Sequence, residues 1–67
     1  MMILNNTYKN IYNKDIAFQP VFLEKETEES LTFYGKWFNI VSTPFVIDYD
    51  TITINKKDLN NWKELNS

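Results

Sequence analysis

Residues 54–65 read INKKDLNNWKEL, and whether they form a helix decides the fold class. Asn55 is a strong N-cap residue, and Asp58 stands three positions on, where a capping box places its acidic partner. Ile54 and Leu59 occupy the two positions of a hydrophobic staple. Leu59, Trp62 and Leu65 come at intervals of three, which predicts a short amphipathic α-helix over 56–65. A helix this short is marginal alone in water, so it must dock on a sheet.

The sheet is expected upstream. Phe45 to Ile54 reads as a strand that begins with Phe45, Ile47 and Tyr49 in phase and ends with Ile52 and Ile54 in the other phase. That change predicts a bulge or tight turn near Asp50. Pro44 pushes Thr43 into extended geometry, so Ser42-Thr43-Pro44 ends the preceding strand, 30–41. In that strand Leu31, Phe33 and Trp37 share one phase across Gly35, the only glycine in the chain. Gly35 either forms a tight hairpin turn with Lys36 or lies inside one long strand where a neighbour approaches closely. The polar turn KETEES at 25–30 already supplies a hairpin between 16–25 and 30–41, which favours the second reading. In 16–25, Ile16, Phe18 and Phe22 mark one face and Ala17, Val21 and Leu23 the other. Pro20 cannot donate to a ladder, so this strand is expected to be an edge or to carry a bulge. Residues 1–15 read as a flexible or short-strand arm, because the asparagines favour turns over helix interiors.

The expected fold is therefore α+β: an antiparallel sheet of three to four strands with one C-terminal α-helix packed on one face. It is a single domain over 1–67, with the arm at 1–15, a β-meander at 16–54 and the helix at 55–65.

A chain of 67 residues buries only about 60% of the surface its unfolded form exposes. There is no cysteine and no histidine, which removes disulfides and the usual zinc ligands together. Eleven aromatic residues, each able to bury about 150–250 Å², are the remaining source of stability. The net charge of -2 is far from the basic footprint of a nucleic-acid binder, and without arginine there is no bidentate readout of phosphate or guanine. No apolar run approaches the ~20 residues that span a bilayer. The opening MMIL is too short for a signal-peptide core. The expected location is cytoplasmic.

Asp48 and Asp50, at i and i+2 on a strand, turn both carboxylates to one side. A magnesium site gathers further carboxylates or a phosphate substrate, and the sequence offers none, so both read as surface or turn residues and no metal or other cofactor is expected. Ser30, Ser42 and Ser67 lack a histidine to activate them, and one glycine cannot build a phosphate-cradling loop. These residues do not compose an enzyme.

Consecutive pairs such as Phe33-Tyr34 and Trp37-Phe38 put rings on both faces of the sheet, while one helix covers only one face. Leu31, Phe33 and Trp37 are assigned to the core. Tyr34, Phe38 and Tyr49 are then the candidate contact residues, with Glu26, Glu28 and Glu29 as an acidic rim that would speed capture of a basic partner. The expected function is a small non-catalytic protein-binding module, docking on a larger host protein or complex and acting by occlusion. In type, a tiny, motif-free chain with the Asn, Ile, Lys and Tyr usage of an AT-rich genome resembles phage or mobile-element proteins that inhibit host enzymes or defence nucleases. Nucleic acid is disfavoured as a direct ligand on charge, and no membrane partner is expected. Two alternatives stand beside this reading: a single-stranded nucleic-acid module using an aromatic sheet face, and a homo-oligomer paired through an exposed strand edge.

Overall fold

The computed structural model describes residues 2–41 and 45–65. The chain runs β1 (Tyr8–Asn10), β2 (Asn13–Glu26), β3 (Ser30–Asn39), β4 (Phe45–Asn55), a 3-10 helix (Lys56–Asn61) and β5 (Trp62–Glu64). All five strands form one sheet in the order β4-β3-β2-β1-β5, and every neighbouring pair is antiparallel. The α+β expectation is therefore wrong: among the described residues there is no α-helix, and the fold is a five-stranded antiparallel sheet.

The error lies in 56–65. Asn55 does cap, its side chain accepting from the Lys57 amide, but what it caps is six residues of 3-10 helix. Asn60 and Asn61 are poor interior residues for an α-helix, and Trp62 is already extended, at φ -104° and ψ 119°. Residues 62–64 then gain a ladder that a helix would forgo: Trp62, Lys63 and Glu64 pair with Asn10, Lys9 and Tyr8 of β1, and the Leu65 amide donates to the Thr7 carbonyl at 2.9 Å. Leu59 and Trp62 still reach the core, one from the 3-10 turn and the other from a strand.

β2, β3 and β4 follow one another as a meander, with β2 beginning at Asn13 and β4 ending at Asn55. Thr27 to Ser30 turns β2 into β3, with Thr27 Oγ accepting from the Glu29 and Ser30 amides. Gly35 lies inside β3 opposite Pro20. β2 is a central strand, so of the two expectations for Pro20 the bulge is the one realised: the register slips between Pro20 and Phe22. The Pro20 carbonyl accepts from the Asn5 amide at 2.7 Å, so the proline nitrogen also faces the β1 side, beyond the last β1–β2 pair at Phe18. No ladder donor is lost there. The reading of Ser42, Thr43 and Pro44 as a strand end falls outside the described residues.

Residues 2–15 contribute β1 and part of the core. Met2 and Tyr8 are buried with Phe18, Leu31, Phe33 and Ile54, and Trp37, Ile52, Leu59 and Trp62 pack around them. The Tyr8 hydroxyl accepts from the Ile3 amide at 2.7 Å, which ties the chain start over this inner face. Leu31 and Phe33 are core residues and Trp37 packs beside them, as their shared phase implies.

Candidate binding surface

Directly paired residues of antiparallel strands project to the same face, so the register sorts every strand residue. Leu31, Phe33, Gly35 and Trp37 of β3 face inward with Ile54, Ile52, Asp50 and Asp48 of β4. Thr32, Tyr34, Lys36 and Phe38 therefore face outward, with Thr53, Thr51, Tyr49 and Val46 opposite them on β4. On β2 the outward set includes Ala17, Gln19, Phe22 and Lys25.

Three single-residue bulges set this distribution. One lies at Val21, between Pro20 and Phe22. It moves Phe22 off the face of Ile16 and Phe18, to which simple alternation had assigned it, and stacks it on Tyr34 with ring centroids 5.3 Å apart. A second lies at Glu24, between Leu23 and Lys25, and turns Lys25 outward. The third lies at Ile47, since Asp48 pairs with Trp37 but Val46 with Phe38. The phase change expected near Asp50 thus occurs three residues earlier, and Tyr49 turns outward. A bulge leaves one residue unpaired and flips the phase of the strand beyond it.

The structure brings together Tyr34, Phe38 and Tyr49 of the expected contact residues. Phe22 and Val46 join them and were missed; Pro20, as a bulge signal, was the available clue to Phe22. Phe22 is 47% exposed, Val46 41% and Tyr49 51%, while Tyr34 and Phe38 are half-buried. The acids are dispersed rather than gathered into a rim. Glu26 pairs with Leu31 on the inward set and holds Lys56 at 2.8 Å, an exposed ion pair that contributes little. Glu28 and Glu29 are exposed in the β2–β3 turn.

Most strand charges divide between the faces, the exceptions being Asp15, which shares the outward face of Ala17, and Lys14, which shares the inward face of Ile16. Lys9 and Ala17 are partners, as are Lys9 and Lys63, so Lys9 and Lys63 share the outward set with Lys25 and Lys36. Glu26, Asp48, Asp50 and Glu64 fall on the inward set. Asp48 and Asp50 do share one side, as their spacing requires, beside an open cleft of about 280 Å³ lined by Ile16, Trp37, Ile47, Asp48, Asp50 and Thr51. Among the described residues no three acidic side chains converge to hold a metal, and no helix is long and apolar enough to cross a membrane.

No family model matches this chain, and no curated protein or solved structure does so either.

Proposed function

We propose that this protein is a small non-catalytic binding module that docks the outer face of β2–β4 on a larger protein or protein complex and acts by occlusion. One observation carries the reading: Phe22, Tyr34, Phe38, Val46 and Tyr49 share a face that no other described element of the chain covers. A contiguous apolar patch rimmed by polar residues on a small protein marks an interaction surface. The Asn, Ile, Lys and Tyr usage fits an AT-rich genome, that of a low-GC bacterium or one of its phages. For a phage or mobile-element source, a host enzyme in the cytoplasm, such as a defence nuclease or a transcription or replication enzyme, is the natural target.

Interface energy concentrates in a few aromatic anchors. Tyr34→Ala and Tyr49→Ala should each weaken partner binding by about 2 kcal/mol, roughly thirtyfold, with little change in the thermal melt for Tyr49→Ala. A tagged pull-down from a low-GC bacterial lysate, followed by calorimetry on the captured protein, measures this. Capture that is equally strong with Phe22, Tyr34 and Tyr49 all replaced by alanine would sink the proposal.

A second reading has its own support. Lys9, Lys25, Lys36 and Lys63 lie on the same outward set as the rings, and a stacking platform for single strands combines rings with cations. The net charge of -2 opposes it globally, while four outward lysines against one outward strand acid, Asp15, relieve it locally. A gel shift with oligothymidine at low salt separates the two. Binding whose salt slope falls by about 0.7 in Lys36→Ala favours the nucleic-acid reading, and no shift at high protein concentration removes it.

A further inference from the structure

The β4 edge has a consequence for self-association that is separate from the proposed docking face. The sheet has two edges, β5 and β4. β5 pairs over three residues, and brevity blunts an edge. β4 runs for 11 residues and is rich in β-branched and aromatic side chains, the composition that recruits another strand.

The direction of its free backbone groups is set by one bond. Lys56 N–H donates to the Glu29 carbonyl at 2.7 Å, one step beyond the Ser30–Asn55 pair. Bonded and non-bonded pairs alternate along an antiparallel ladder. The pairs at Ile54, Ile52 and Asp50 are thus bonded to β3, and Asn55, Thr53, Thr51 and Tyr49 turn their N–H groups to the open side. Two of these four are not open. The Tyr49 amide donates to the Asp48 carboxylate at 2.8 Å, and the Thr51 amide donates to the Asp50 carboxylate at 2.8 Å. Thr53 comes after Ile52 and has no such neighbour.

We infer that Asp48 and Asp50 guard the β4 edge against a second copy of this chain. They do so in two ways. Each carboxylate occupies an amide that an incoming strand would need. Each also meets its own kind in the symmetric dimer: two-fold antiparallel pairing centred on Tyr49 sets Asp48 opposite the copy's Asp50, and pairing centred on Asp50 sets the two Asp50 side chains opposite each other. Like charges directly opposite destabilise a strand pair. The spacing that would suit a metal or a shared proton therefore serves to keep the long edge unpaired.

Sedimentation velocity on the full chain tests this. The parent should run as a monomer of 8.0 kDa, and Asp48→Thr/Asp50→Thr should self-associate at least roughly tenfold more tightly. Asp48→Asn/Asp50→Asn removes charge but keeps the acceptor; association there as well assigns the guard mainly to charge, and association only in the threonine variant assigns it to the occupied amides. Both doubles remaining folded monomers like the parent would overturn the inference. Hydrogen exchange on the parent needs no variant: the Tyr49 and Thr51 amides should exchange more slowly than the Thr53 amide, and equal rates at all three would also overturn it. Both readouts concern backbone amides and charge at the β4 edge, and neither needs the docking partner.

Discussion

Phe18→Ala should remove about 3–5 kcal/mol and leave much of the chain unfolded at room temperature. Phe18 has no exposed surface and sits where the two ends of the fold meet. Its ring lies 4.7 Å from Trp37 of β3 and 6.4 Å from Trp62 of β5, centroid to centroid, and its backbone pairs with Tyr8 of β1. Truncation would strip ring contacts from β3 and β5 at once and open a cavity that a single sheet has no second layer to refill. A domain of this length holds only about 3–10 kcal/mol in total, so this loss approaches the whole. Urea titration followed by far-ultraviolet circular dichroism measures it. A midpoint within error of the parent would show that the core is not centred on Phe18.

Gly35→Ala should be nearly as damaging, at about 3 kcal/mol, the top of the usual range for overpacking. The reason is contact and not backbone freedom, since Gly35 has no positive φ. A Cβ there would lie 2.1 Å from the Gln19 carbonyl oxygen and 2.9 Å from its carbonyl carbon, besides 2.8 Å from Cζ of Phe18. The ring tip can move, whereas the backbone of the neighbouring strand cannot without losing its register. Gly35→Ala/Phe18→Leu, which relieves only the ring contact, should therefore fail to regain the stability lost through Gly35→Ala. If that double variant melts no lower than Phe18→Leu alone, the backbone contact is not the limiting one.

These two residues also mark how far the sequence could be read. Pro20 and Gly35 were each legible as places where a regular strand must do something unusual, and they proved to face each other across β2 and β3. What each does to its surroundings was not legible. The slip after Pro20 moves Phe22 from the face of Ile16 and Phe18 to the outer aromatic face, and the bulge at Ile47 is what turns Tyr49, already a candidate contact residue, outward. A period-2 pattern carries no mark of where an extra residue is tolerated, because that depends on the partner strand. The lysines of the candidate surface were invisible for a related reason. Lys9, Lys25, Lys36 and Lys63 are scattered along the chain, and only the pairing of five strands places them on one side.

By itself the sequence determined the succession of strands across a polar turn within 25–30, the inward phase of Leu31, Phe33 and Trp37, and the cap at Asn55. Each of these rests on interactions among near neighbours or on a strict alternation. The tertiary structure alone decided the fate of residues 56–65. A spacing of three at Leu59, Trp62 and Leu65 suits an α-helix, and it equally suits a 3-10 turn that runs into a strand. Two asparagines made the helix weak, and the unpaired side of β1 offered the backbone a ladder instead. An edge formed by residues 8–10, some fifty positions away in the chain, settled a choice that local propensity had left nearly balanced.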